Sequence, residues 1–221
     1  PDVLPEAVRQ RYRLCPAPMA YEMIHRPLDE ALLDAARRRL VFEEFFIFSA
    51  GLSMLRSRQT RGKAAVCRTD CMEPFEAGLP FALTGAQRRA IGDVLRDLAS
   101  GTPMNRLVQG DVGSGKTMVA AACVYFMVQN GRQAALMAPT EILAQQHYAT
   151  FSDRFSPFGI RVEVLSRLRS AAQQKAALEG FAKGAVDVLV GTHRLLSRDV
   201  NPKELGLIII DEEQRFGVGH K

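Results

Sequence analysis

An eight-residue run, Gly110-Asp111-Val112-Gly113-Ser114-Gly115-Lys116-Thr117, restricts what this chain can become more than any other stretch. It matches G-x-x-x-x-G-K-[ST], follows a short apolar run at 107–109 and opens a helical pattern. Glycines at such spacing let the backbone curl until successive N–H groups point inward at phosphate oxygens. Lys116 is then placed to add a charge-assisted bond to the β- and γ-phosphates, and the Thr117 hydroxyl to complete a Mg²⁺ shell. The helix that follows turns its positive dipole end toward the same anion. A Gly-rich turn can match this pattern by chance, but the strand-loop-helix setting argues for a nucleotide.

The surroundings carry the same architecture. From residue 79 onward, apolar runs at 107–109, 134–138, 162–165, 186–190 and 207–210 alternate with amphipathic stretches at 84–99, 116–130, 141–155 and 171–183. Near-continuous apolar strands separated by helices predict an α/β fold whose parallel sheet is covered on both faces. The run Leu207-Ile208-Ile209-Ile210-Asp211-Glu212 ends a strand in two carboxylates. By itself that pattern means only a buried strand. Beside the Gly-rich loop it delivers two acids to the carboxyl edge of the sheet, where ligands of open α/β folds gather. Asp211 is the candidate Mg²⁺ ligand, and Glu212 the candidate to orient or deprotonate an attacking water. The expected catalytic set is therefore Lys116, Asp211 and Glu212. Gly110, Asp111, Gly113, Ser114, Gly115, Lys116 and Thr117 form the nucleotide cradle, and Thr117 with Asp211 forms the metal pair.

Residues 1–77 have a different texture, helical and charge-balanced, with 12 basic against 11 acidic residues. Leu28, Leu32, Ala35, Ala36 and Leu40 recur at helical spacing, and Phe42, Phe45, Phe46 and Phe48 then crowd nearly every face. Such a helix needs a cover, supplied by the second region or by a partner. The stretch 59–78 is polar and broken by Gly62, Pro74 and Gly78, and reads as a linker. Apolar residues make up 47% and charged residues 24% of the 221, which excludes a disordered chain. No apolar run approaches the ~20 residues that span a bilayer, and the secretory order of basic, apolar and small residues is missing. No membrane partner is expected, and the cytoplasm is the default location. Cys67 and Cys71 make a single C-x3-C pair, short of the four ligands of a structural zinc site, so ordinary thiols are expected. The net charge of +5, mostly carried by residues 78–221, permits nucleic acid without demanding it.

The order of motifs is itself informative. Leu83-Thr84-Gly85-Ala86-Gln87, the Gly110 to Thr117 loop, Ala138-Pro139-Thr140-Glu141, Val190-Gly191-Thr192-His193 and Asp211-Glu212-Glu213-Gln214-Arg215-Phe216-Gly217 together resemble the superfamily 2 DNA helicases and translocases. More narrowly the chain resembles the RecG family of ATP-dependent DNA helicases, through Leu79-Pro80-Phe81, 103–107, 137–147, Ile24-His25-Arg26-Pro27 and 36–44. The resemblance implies a fragment in which residues 1–77 are the end of a helical linker following a DNA wedge domain. Residues 78–221 are then most of a first RecA-like P-loop NTPase domain, truncated after the strand that carries Asp211. It assigns Gln87 to the adenine edge, since an amide both donates and accepts, with Phe81 as a ring neighbour. It assigns Thr140, Arg167, Thr192 and His193 to DNA. For the threonines the plainer alternative is N-capping, and for His193 a hydrogen-bonded surface position. Gln214 occupies a position where the family typically carries His, and is expected to link nucleotide to motor movement without taking a proton near neutral pH.

What the resemblance implies for function is ATP- and Mg²⁺-driven translocation on double-stranded DNA, remodelling stalled forks and Holliday junctions. The implied partners are branched or double-stranded DNA and the second RecA-like and wedge domains of the full-length protein. The stretch 164–170 looks closer to the bacterial transcription-repair coupling factor, which makes polymerase displacement the alternative task. A non-hydrolytic nucleotide-binding scaffold is a third reading, opposed by the joint presence of Lys116, Thr117, Asp211 and Glu212. The run ends nine residues past Glu212, ahead of the second half that bears the arginine finger. By itself this stretch is expected to bind nucleotide weakly, hydrolyse it poorly and unwind nothing.

Overall fold

In the computed structural model, residues 2–59, 64, 66, 67 and 71–213 are described. Backbone contacts divide the chain into two compact units, Pro1–Gly62 and Lys63–Lys221.

The first unit is helical: α1 (Glu6–Tyr12), α2 (Ala17–His25) and α3 (Glu30–Gln59). Pro5 and Pro16 precede the first two helices, and Arg13, in the left-handed region at φ 53°, stops the first. Asp29 starts α3 by accepting a hydrogen bond from the Leu32 N–H at 2.7 Å. The aliphatic spacing noted in the sequence closes a small core of Ala20, Met23 and Ala36 between α2 and α3. Two aromatics of the crowded stretch find ring partners, Phe42 lying 4.8 Å from Tyr12 and 6.3 Å from Phe46. Phe45, Ile47 and Phe48 remain exposed. Arg39 is fully buried, its guanidinium held by Asp2 at 2.5 Å and by Glu43 one helical turn on.

The second unit begins inside the stretch read as a linker. Residues 73–77 form α4 (Glu73–Ala77), and Cys67, Met72 and Phe75 are buried in the main core. The Phe75 ring lies tilted against Tyr125 at 5.1 Å and Phe158 at 6.2 Å. Turn-forming residues dominate this stretch, but burying one Phe is worth about 1.5–3 kcal/mol, enough to draw it onto the core. Then follow α5 (Gly85–Ala99), α6 (Lys116–Gln129), β1 (Gln133–Met137), α7 (Glu141–Phe155), β2 (Val162–Leu165), α8 (Ala171–Lys183), β3 (Val188–Gly191) and β4 (Leu205–Ile210). Capping explains the helix starts: Thr84 and Ser170 form capping boxes with Gln87 and Gln173, and Thr140 accepts from the Leu143 N–H.

The four strands make one parallel sheet in the order β2-β3-β1-β4. Side chains alternate across it. Ala134, Leu136, Val188 and Val190 join the helices α5, α6 and α7 in the larger core, whereas Leu165 and Leu189 meet Ala177 and Phe181 of α8 on the other side. This is the expected α/β sheet with helices on both faces, but β4 is not the buried strand its four aliphatics predict. Leu207 alone is buried, while Ile208 and Ile210 of this edge strand are exposed, since among the described residues no strand pairs with its outer side. The strand expected at 107–109 does not form. Residues 103–111 are irregular, Leu107 is 76% exposed, and a groove of about 940 Å³ separates this segment from β4. An apolar run becomes a strand only when a neighbour lies within hydrogen-bonding distance, and across that groove none of the described residues does.

Candidate nucleotide site at the carboxyl edge of the sheet

Helix α6 sets how the two halves of the expected site are placed. Met127, near the end of α6, packs on Gly206 at the start of β4, so closely that a Cβ there would lie 2.6 Å from its sulfur. From that contact eleven residues of helix lead back to Lys116 and five of strand lead forward to Asp211, each covering about 17 Å. Helix α6 returns into β1 through residues 130–132 and packs on both β1 and β4, which are parallel, so it runs antiparallel to them and its Lys116 end points toward the edge of the sheet where Asp211 lies. The Asp211 N–H continues the ladder by donating to the Met137 carbonyl at 2.9 Å.

The loop is curled as its glycines predict. Gly113 and Gly115 have φ of 81° and 82°. The Lys116 ammonium donates to the carbonyls of Gly110 and Asp111 at 2.6 and 2.8 Å, and the Ser114 N–H donates to the Asp111 carbonyl at 3.2 Å. Gln87 is anchored at both ends of its amide. Oε1 accepts from the Thr84 N–H at 2.9 Å, and Nε2 donates to the Ser114 carbonyl at 3.0 Å. A Cβ on Gly115 would fall 2.2 Å from that nitrogen, so any larger residue there must displace the Gln87 amide as well as hold a φ of 82°. Phe81 is half exposed, and Thr117, at the first turn of α6, is exposed. The segment leading into the loop is tied down by Arg106, whose Nε donates to Asp97 at 2.7 Å and holds that carboxyl below its ordinary range.

This donor set suits a magnesium nucleotide. The cradle is built of backbone and one cation, and the hydroxyl of Thr117 and carboxylate of Asp211 are the hard oxygen donors that Mg²⁺ takes alongside phosphate oxygens. No group of three His, Cys, Asp or Glu side chains among the described residues forms a metal cage of its own. Asp211 is itself held: His147 Nε2–H of α7 donates to its Oδ2 at 2.8 Å. Glu212 follows in the left-handed region at φ 52°, a conformation that non-glycine residues adopt at a cost and that concentrates at functional sites.

The residues assigned to DNA lie along the same edge. Thr140 is the N-cap of α7, the plain role open to it in the sequence. Thr192 is buried and donates its hydroxyl to Glu141 Oε1 at 3.4 Å, and the Arg167 N–H donates to Glu141 Oε2 at 3.2 Å. His193 opens a 3₁₀ turn, His193–Leu196. Gln214 lies outside the described residues. Two residues with no role in the sequence reading thus hold the site together, Glu141 and His147. Both fall within the family-like stretch 137–147, which was the one signal available for them.

Comparison with known proteins extends over the whole chain. The family described as DEAD/DEAH box helicase matches residues 84–220. The chain is 43% identical over 220 residues to the ATP-dependent DNA helicase RecG of Synechocystis sp., covering 98% of this chain and 26% of that protein. It is 42% identical over 221 residues to RecG of Bacillus subtilis, covering 99% and 32%. The transcription-repair-coupling factor of Haemophilus influenzae is 50% identical over 149 residues, covering 67% of the chain and 13% of that protein. A solved structure of RecG bound to a three-way DNA junction superposes on 98% of the chain and 30% of that protein, with a TM-score of 0.84 at 38% identity. The chain thus spans about a quarter to a third of the curated RecG relatives named here.

Proposed function

Because the chain belongs to the DEAD/DEAH box helicase family, with RecG-like sequence over nearly its full length, we propose that it is the first motor domain of an ATP-dependent DNA helicase that remodels branched DNA. What supports this reading best is the topology that turns the Lys116 end of α6 and the Asp211 end of β4 toward one edge of the sheet, since a P-loop and a strand-end acid serve one nucleotide only from there. The backbone of Gly110 to Thr117 cradles the phosphates. Lys116 exchanges its two carbonyl partners for phosphate oxygens, which form stronger bonds to a cation. Thr117 and Asp211 hold Mg²⁺, which neutralises charge on the β- and γ-phosphates when bound. Glu212 orients the attacking water, Gln87 with Phe81 reads adenine, and Gln214 links the nucleotide to movement. Thr140, Arg167 and His193 lie along the DNA backbone, which is contacted without base readout, while Thr192, buried against Glu141, supports that edge from within. Turnover and unwinding need the second RecA-like domain, and this domain works in the cytoplasm on forks and junctions.

Displacement of RNA polymerase is the second reading, favoured by the 50% identity to a coupling factor. That match stops at 67% of the chain, whereas the RecG matches continue through the helical first unit. The test is ATP hydrolysis by the full-length protein with and without forked DNA. Forked DNA is expected to stimulate it, and Lys116→Ala to weaken ATP binding about 10- to 100-fold, the loss of one charged hydrogen bond of ~1.5–3 kcal/mol. Unchanged affinity in that variant refutes the placement of the nucleotide.

A further inference from the structure

The hydrogen bond between His147 and Asp211 joins two parts of the molecule with separate assignments. Asp211 has its backbone fixed, because its N–H is the last rung between β4 and β1. Its carboxylate still has a free torsion, and His147 removes it by engaging Oδ2, which leaves Oδ1 for other work. The imidazole is itself immobile. It is 14% exposed and meets the ring of Phe151 edge-on at 6.2 Å, and Phe151 is fully buried. The helix that carries His147 begins at Glu141, the side chain that accepts from Arg167 N–H and Thr192 Oγ1. Six residues, about 9 Å of rigid helix, separate Glu141 from His147.

We propose that His147 is a positioning residue that aims the free oxygen of Asp211 at Mg²⁺ and makes that aim depend on α7. The inference rests on the nucleotide site proposed above. Carboxylates that bind metals are themselves hydrogen-bonded, and loss of such an outer partner costs 10- to 100-fold in metal affinity in general. Here the outer partner sits on the helix whose first turn gathers the loops of Thr140, Arg167 and Thr192. Movement of those loops on DNA reaches Asp211 through α7 and one hydrogen bond, with no rearrangement of the sheet.

The test uses the full-length protein and a fluorescent ATP analogue, with Mg²⁺ titrated at fixed nucleotide. His147→Phe keeps a ring against Phe151 and removes the donor, whereas His147→Gln restores an N–H donor. The Mg²⁺ midpoint for nucleotide binding is expected to rise about tenfold in His147→Phe and to return to within about twofold in His147→Gln. Nucleotide binding in EDTA and the melting temperature are expected to match wild type in both. DNA stimulation of hydrolysis is expected to fall in His147→Phe even at saturating Mg²⁺. A wild-type midpoint in His147→Phe overturns the proposal, as does a His147→Gln variant no better than the Phe variant. If the wild-type protein itself binds nucleotide without regard to Mg²⁺, the nucleotide-site reading falls and this inference with it.

Discussion

Gln133 and Glu204 are bonded to each other twice: the Gln133 N–H donates to the Glu204 carbonyl at 2.8 Å, and the Gln133 side-chain oxygen accepts from the Glu204 N–H at 2.9 Å. The same buried amide donates through Nε2 to the carbonyls of Phe181 and Val186 at 2.8 and 2.7 Å. One side chain at the first residue of β1 thereby closes the end of α8 and the approaches to β3 and β4.

Gln133→Leu keeps the volume and strips three partners; the Phe181 carbonyl retains the Gly184 N–H at 3.2 Å, whereas the Val186 carbonyl and the Glu204 N–H lose the amide. Each orphaned buried group costs about 1–3 kcal/mol. The variant is expected to lose about 2–4 kcal/mol of stability in urea unfolding, with the m-value unchanged. A loss within 0.5 kcal/mol, at the noise of a surface change, shows that the amide is not the clasp.

Gly115 and Gly113 provide a paired test of the loop. Both have φ near 80°, so alanine at either carries a left-handed penalty of about 1–2 kcal/mol. They differ in surroundings: a Cβ on Gly113 meets nothing within 4 Å, whereas on Gly115 it meets Gln87 Nε2 at 2.2 Å. Gly115→Ala therefore also expels Gln87 from the Ser114 carbonyl. Nucleotide affinity is expected to drop at least about tenfold further in Gly115→Ala than in Gly113→Ala, read by titration. Equal losses show that the Gln87 contact contributes nothing to the cradle.

These contacts mark where the sequence is readable. The helix boundaries at Glu141–Phe155 and Ala171–Lys183 follow directly from their caps and periodicity, because capping is local chemistry. The 107–109 run fails as a strand because a ladder depends on a distant neighbour that apolarity cannot specify. Phe75 escaped notice because turn residues surround it, and Arg39 because nothing local distinguishes a buried arginine from the exposed Arg37 and Arg38. Lys116 and Asp211 were legible since each announces its chemistry by type and spacing. Glu141 and His147 were not, as their roles arise only when α7 is laid beside the ends of β2, β3 and β4.

Glu141 allows two roles in the proposed DNA site, holding a loop and touching DNA, to be told apart. Its two oxygens accept from the Arg167 N–H and the Thr192 hydroxyl, and its negative charge makes it no partner for a phosphate. Glu141→Ala in the full-length protein is expected to weaken DNA binding about three- to tenfold with the salt dependence unchanged, because no phosphate contact is removed. Arg167→Ala is expected to weaken binding and also flatten the log–log salt slope by about 0.9, the signature of one lost counterion-releasing contact. A slope that falls equally in both variants contradicts the division of labour.

The first unit has its own electrostatic fastening, and it is pH-dependent. Burial opposes ionisation of Asp2, but N–H groups of Ala17 and Leu4, both at 3.0 Å, and the Arg39 guanidinium outweigh it and hold the carboxyl below the usual carboxylate range. A depressed acid contributes stability that is complete above its unfolded value, about pH 4, and lost as pH falls through the lower folded value. Protonation also leaves the buried Arg39 with Glu43 as its remaining acid. Hydrogen exchange at the Leu4 and Ala17 amides is expected to accelerate as pH drops below about 4, relative to the intrinsic exchange rate. Asp2→Asn keeps an acceptor and removes the charge, so it is expected to lose about 1–3 kcal/mol at pH 7 and to flatten the acid limb. An acid limb as steep in Asp2→Asn as in the wild type assigns the fastening to another carboxylate.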